Sequence, residues 1–175
     1  MSDHEIKVVV VDNFGKDVDS VPRRPIHVVL NNIRSAHNVG SIFRTADAAL
    51  AEKVYTCGIT AHPPSHKLKK TSLGSGRFVP WEHFGTALDA VQQLQARGVQ
   101  VCALEATDRS EGLFDVAFPK PVAVVFGNEV DGVSRDVLAA ADRVIAIPMG
   151  GFKNSLNVAV AAGVVIYEIA RQQGA

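Results

Sequence analysis

The sequence predicts an α/β fold, a parallel sheet flanked by helices, and three observations predict it. Short β-branched runs alternate with stretches of helical periodicity from His27 onward, the pattern of strands joined by covering helices. Polar, glycine-containing segments follow the runs that end near Leu30, Phe126 and Ile147, and open α/β sheets bind ligands at such strand ends. A chain of 175 residues, 47% apolar and 21% charged, fits one domain with one substantial core.

Residues 1–25 read as an extension of unassigned role, because the stretch from Asp12 to Pro25 is polar and carries Gly15, Pro22 and Pro25. The domain proper runs over 26–175. Strands are expected at 26–30, 54–57, 99–104, 122–126 and 144–147, each rich in β-branched residues. A first helix over 38–50 places Val39, Ile42, Phe43, Ala46, Ala49 and Leu50 on one face, with Ser41, Arg44, Thr45 and Asp47 opposite. A second spans 85–97 and stops at Gly98, and a short third starts near Ser134. The last, 156–171, is apolar nearly all round, which predicts burial on several sides. Gly163 within it costs about 1 kcal/mol in an exposed helix and suits a close helix approach, as at a dimer interface.

Composition excludes more than it selects. Eighteen basic residues balance eighteen acidic ones, so a polyanionic partner would have to be met by local clustering. Cys57 and Cys102 lack the paired spacing of a zinc or redox site and read as small core residues. Met1 to Lys7 is charged, and no apolar run approaches the ~18 residues of a membrane span; a cytoplasmic protein without membrane contact is expected. Neither G-x-G-x-x-G nor G-x-x-x-x-G-K-[ST] occurs, which disfavours dinucleotide and nucleoside-triphosphate chemistry of the usual kinds.

Three segments hold the candidate chemistry. The first runs from Asn31 to Arg44 and is either a capped helix start, with Ser35 or His37 near the cap, or a polar site. The second, Gly127-Asn128-Glu129-Val130-Asp131-Gly132, is equally a turn or a pair of carboxylates at a strand end. In the third, Ile147 to Ala159, Ser155 or Asn154 can cap the final helix, while Asn157 in an apolar first turn must find polar partners. Between Glu52 and Glu82 no acidic residue occurs, whereas Lys53, His62, His66, Lys67, Lys69, Lys70 and Arg77 do. That stretch is a solvated surface or a phosphate-contacting patch, with Phe78 and Trp81 as stacking surfaces.

Taken in order, these segments resemble the three motifs of the SpoU/TrmH branch of the SPOUT methyltransferases. The first matches N-x-R-x-x-x-N-x-G and R-T-A-D-A at Asn32, Arg34, Asn38, Gly40 and 44–48; the second matches G-N-E-x-x-G at Gly127, Asn128, Glu129 and Gly132; the third matches I-P-M and S-L-N-V at 147–149 and 155–158. The resemblance implies an α/β knot, with a C-terminal trefoil, and a homodimer. It implies S-adenosylmethionine as cofactor, bound by Leu104, Glu105, Gly127, Ile147, Met149 and Leu156, and no metal. It implies methyl transfer to a ribose 2'-hydroxyl of tRNA or rRNA by Asn38, Arg44, Glu129, Ser155 and Asn157. Arg34, Lys67, Lys69, Lys70 and Arg77 are the candidate RNA contacts. A catalytically silent RNA-binding module and a base methyltransferase of the same fold are the alternatives.

Overall fold

The structure is a computed structural model that describes residues 22–65, 68 and 79–174. Its strands are β1 (Arg24–Asn31), β2 (Ala51–Cys57), β3 (Trp81–Phe84), β4 (Gln100–Leu104), β5 (Glu111–Gly112), β6 (Val122–Phe126) and β7 (Arg143–Ala146). They form one sheet in the order β3-β2-β1-β6-β4-β7-β5, and every pairing is parallel. Among the described residues the helices are α1 (Ala36–Ala48), α2 (Ala87–Ala96), α3 (Arg135–Ala140) and α4 (Val158–Gln172).

Strand alternation divides the core into two layers. Val122, Val124 and Phe126 of β6 pack with Ile42 and Phe43 of α1 and with Val165 and Ile169 of α4. Ala123 and Val125 point the other way, toward Val91 and Leu94 of α2 and Val137 of α3. Central strands covered on both faces are buried throughout, which is why they read as unbroken apolar runs. Both cysteines lie in this core, and burial pushes each thiol up to about 12.

The helices start where local hydrogen bonding dictates. Ser35 caps α1 by accepting from Asn38 N at 3.3 Å, and Thr86 caps α2 by accepting from Asp89 N at 3.1 Å. The final helix departs from expectation: its cap is Asn157, whose Oδ1 accepts from Ala159 N at 2.9 Å and Val160 N at 3.4 Å. Asn154 and Ser155 therefore stay in the preceding loop, and α4 begins two residues later than its apolar pattern suggested.

Two further differences bear on function. Burial of α4 is one-sided within the chain, since Val160 and Tyr167 are 55% and 52% exposed. A Cβ built on Gly163 meets nothing within 4 Å, so the single chain imposes no close approach there. Strands β3 and β5 were not expected from the sequence. No helix of the described residues is long and apolar enough to cross a membrane.

Candidate active site

Strands β2, β1 and β6 end side by side, and the loops leaving them are tied together by asparagine side chains. Asn32, at φ 57°, accepts from Ile59 N at 3.2 Å through its side chain and from Asn128 Nδ2 at 2.7 Å through its carbonyl. Asparagine tolerates this left-handed backbone because its short polar side chain finds local partners. Asn128 Oδ1 accepts from Val130 N at 2.8 Å and Asp131 N at 3.2 Å, which closes the turn after β6. Asn31 Oδ1 accepts from Ser134 N at 2.9 Å at the foot of α3. The β1 and β6 loops are thus one polar unit.

Glu129 sits at the centre of that unit. Its Oε1 accepts from Asn38 Nδ2 at 2.9 Å and Ser35 N at 3.1 Å, and its Oε2 from Arg34 N at 2.9 Å. Partial burial opposes ionisation, but the hydrogen bonds from Arg34, Asn38, its own backbone and Ser35 prevail and hold the carboxyl below its ordinary range. A carboxylate at the N-terminus of α1 also faces the favourable end of the helix dipole. Asn38 is 8% exposed, and its remaining side-chain oxygen accepts from Asn157 Nδ2 at 3.2 Å. Asn157, Asn38 and Glu129 form a continuous chain from α4 to α1 to the β6 loop.

Beside this chain lies a cavity of about 890 Å³ at the ends of β4, β6 and β7. Leu104, Phe126, Ile147, Met149, Leu156 and Val158 supply apolar wall, and Glu129, Asp131, Asn154, Ser155 and Asn157 supply polar rim. The Glu105 carboxylate is spent on structure, accepting from Val133 N at 2.9 Å and Ala106 N at 3.2 Å. At the cavity floor Gly127 packs tightly against the next turn: a Cβ there would lie 2.2 Å from the backbone of Gly132 and Val133. Among the described residues no group of three or more His, Cys, Asp or Glu side chains is placed to hold a metal ion.

The model of the SpoU rRNA methylase family matches residues 25–167. The chain belongs to that family. The tRNA (guanosine(18)-2'-O)-methyltransferase of Thermus thermophilus is 37% identical over 152 residues, 86% of this chain and 77% of that one. The AdoMet-bound rRNA methyltransferase of Sinorhizobium meliloti superimposes with a TM-score of 0.79 at 32% identity, covering 90% of this chain and 60% of that one. The TrmH/SpoU tRNA modifying enzyme of A. aeolicus gives 0.76 at 32% identity, covering 86% and 76%. The chain spans 62 to 66% of the length of its first curated relatives.

In this SpoU-family chain the six residues expected to bind cofactor, Leu104, Glu105, Gly127, Ile147, Met149 and Leu156, all line the cavity, as do Glu129, Ser155 and Asn157. Asn38 joins them through its hydrogen bonds. Arg44 does not. It lines a separate cleft of about 370 Å³ with Ser41, Thr45, Ala48 and Tyr167. Helix geometry explains the separation, since six residues place Arg44 about 120° round the axis from Asn38 and ~9 Å along it. Arg34 is exposed, with its backbone held by Glu129. Lys67, Lys69, Lys70 and Arg77 lie outside the described residues. Sequence reading missed Asn128 and Asn31 as loop clasps, although asparagine before a tight turn is the available signal; Tyr167 beside Arg44 carried none, being one more large residue on an apolar helix.

Proposed function

We propose that this chain transfers a methyl group from S-adenosylmethionine to a ribose 2'-hydroxyl of tRNA or rRNA. The observation that carries the proposal is the Asn157–Asn38–Glu129 chain standing at the rim of a large, half-apolar cavity. Relatives in the same family are named as tRNA and rRNA ribose methyltransferases, and one matched structure is described as AdoMet-bound. The domain occupies residues 26–175 behind an extension and works in the cytoplasm, as charge and apolar patterning suggest; the homodimer and the trefoil knot of its C-terminal segment are what the resemblance implies.

The residues fit the cofactor. The cavity lies within the 300–1,000 Å³ range of small-molecule sites, its apolar wall suits an adenine ring, and Gly127 in its lining presents backbone alone, because a Cβ there would strike the Gly132–Val133 backbone. Leu104, Ile147, Met149 and Leu156 would hold it, along with backbone groups at Glu105 and Gly127. When bound it supplies a methyl group made electrophilic by a positively charged sulfur.

The task left to the protein is to hold a weak nucleophile in line and to stabilise negative charge as it develops on the ribose oxygen. Ser155 and Asn157 orient the ribose, since both reach the rim and the Asn157 amide is fixed by Asn38 and by its own helix start. Glu129 immobilises Asn38, and through Arg34 N and Ser35 N the whole entrance to α1. Arg44 contributes a permanent positive charge rather than a base, because a guanidinium stays protonated. Its cleft shares no lining residue with the cavity of its own chain, which suits a site completed by a second copy. Arg34, Lys67, Lys69, Lys70 and Arg77 contact the RNA.

Labelled S-adenosylmethionine supplied with total RNA, followed by alkaline digestion, tests the proposal. Label in alkali-resistant dinucleotides is expected, because a methylated 2'-oxygen cannot attack its phosphate. Label confined to mononucleotides would indicate base methylation, and cofactor binding without any incorporation would indicate a silent RNA-binding module.

A further inference from the structure

The loop between β7 and α4 carries an aromatic side chain that neither the fold nor the cavity uses. Phe152 is 110% exposed, more than any other large apolar residue of the described chain, and it follows two exposed glycines, Gly150 and Gly151. Met149 on one side of it and Asn154, Ser155 and Leu156 on the other all line the cavity. The ring therefore stands on the segment that forms the cavity's rim. Lys153 beside it is exposed as well.

We propose that Phe152 stacks on the base of the nucleotide whose ribose enters the site, with Lys153 meeting an adjacent phosphate; this rests on the ribose-methylation reading above. A ribose held by Ser155 and Asn157 carries its base on the neighbouring carbon, so the base must come to rest at the same rim. A ribose drawn into the cavity takes its base out of the RNA stack, and the lost stacking has to be replaced, as it is where an enzyme flips a base in order to act on it. Val130, Met149 and Leu156 are exposed near the cavity at 73%, 38% and 40%, but all three are aliphatic and present no π face. The other strongly exposed aromatics of the described residues lie elsewhere, Phe114 behind β5 and Tyr167 in the Arg44 cleft. Stacking on phenylalanine is tolerant of base identity, so Phe152 holds a nucleotide without choosing it.

Two measurements test this. In Phe152→Trp, added tryptophan fluorescence is expected to be quenched by a mixed-sequence single-stranded oligoribonucleotide beyond the change seen from Trp81 in the wild type; no additional quenching overturns the proposal whether or not the protein is active. In steady-state assays on an RNA bearing the mapped target nucleotide, Phe152→Ala is expected to lower kcat/KM about 10- to 100-fold, the range of one lost base stack. Cofactor affinity should hold, and Phe152→Trp should retain activity. The decisive comparison replaces the target by an abasic ribose: wild type and Phe152→Ala should then react equally slowly. A defect that persists on the abasic substrate, or a Phe152→Ala protein that changes oligomeric state and so assigns the ring to a second copy, overturns the proposal. Wild-type protein that methylates no RNA would sink the ribose reading, whereas methylation indifferent to Phe152 sinks only the stacking role.

Discussion

Asn157 Nδ2 donates to Asn38 Oδ1 at 3.2 Å across 119 residues of sequence, wiring the cap of α4 to the first turn of α1. Asn38 passes the contact on, donating to Glu129 at 2.9 Å. An amide is required because the same side chain must accept from one partner and donate to the other. Asn38→Ala strips the Asn157 amide of its acceptor and Glu129 of one of its donors, and should cost about 1–3 kcal/mol of stability. Asn38→Asp should cost more at neutral pH, since it sets a second carboxylate against Glu129, and should recover toward the alanine variant as the pH falls through the carboxylate range. Urea midpoints at pH 7 and pH 4 decide it; an aspartate variant as stable as wild type at pH 7 would remove the donor role.

The site also sets part of the stability profile against pH. The folded Glu129 carboxyl titrates below its ordinary value of 4.5, where the bonds from Arg34, Asn38 and Ser35 outweigh partial burial. The unfolded chain therefore takes up this proton first as pH falls. The stabilisation is complete above 4.5 and is lost as pH drops through the folded value. Glu129→Gln should flatten the unfolding midpoint in that window alone.

A second group acts at higher pH. His27, 2% exposed, is held below its ordinary 6.5 chiefly by burial, with Glu52 opposing and Arg97 and Lys53 reinforcing. Its contribution is complete above 6.5 and declines as pH falls toward the folded value. His27→Phe, which keeps a ring against Tyr55 at the position now 5.9 Å away, should remove the decline between neutral pH and that value while leaving the Glu129 window intact. Thermal midpoints of both variants between pH 3 and pH 8 separate the two groups; identical slopes in His27→Phe and wild type would discount the histidine.

How far the sequence was readable follows from what each feature depends on. The central strands announce themselves as short apolar runs because both of their faces are covered, and helix α1 does so through the period that one-sided burial imposes on its side chains. Strand β3, Trp81–Phe84, is a short edge strand with no alternating β-branched run, and β5 has two residues; neither leaves a period to detect. The insertion of β6 between β1 and β4 is a long-range pairing choice that no local pattern encodes. At the site, residue types were legible because a polar cluster at a strand end is anomalous. Their grouping was only partly so: Arg44 shares a motif with Asn38 yet occupies another cleft, a separation that follows from the helical twist between them.

Gly127 is the position where one methyl group should do most harm. Its Cβ would fall 2.2 Å from Gly132 C and Val133 N, backbone atoms held by the Asn128–Gly132 bridge and by Glu105. These atoms cannot yield independently, so Gly127→Ala should destabilise by about 1–3 kcal/mol or more and weaken cofactor binding by displacing the cavity floor. Gly163→Ala, whose added methyl meets nothing in the chain, should instead raise the helical stability of a monomer by up to about 1 kcal/mol. Calorimetric titration with S-adenosylmethionine and urea unfolding of both variants test the contrast, which fails if Gly127→Ala binds normally.

The separation of Arg44 from the cavity gives the sharpest test of a shared site. Arg44→Ala should lower kcat about 100- to 1,000-fold, the range for removing one charge-stabilising group, with cofactor affinity unchanged because Arg44 does not line the cavity of its own chain. Asn157→Ala should be similarly impaired in catalysis. If the arginine of one copy serves the cavity of the other, co-refolding the two inactive variants in equal amounts makes half the dimers mixed, each with one intact site and one doubly defective site. Activity should then recover to about a quarter of wild type, as two-fold symmetry requires. Were Arg44 to act within its own chain, every site in the mixture would carry one defect, and no recovery could occur.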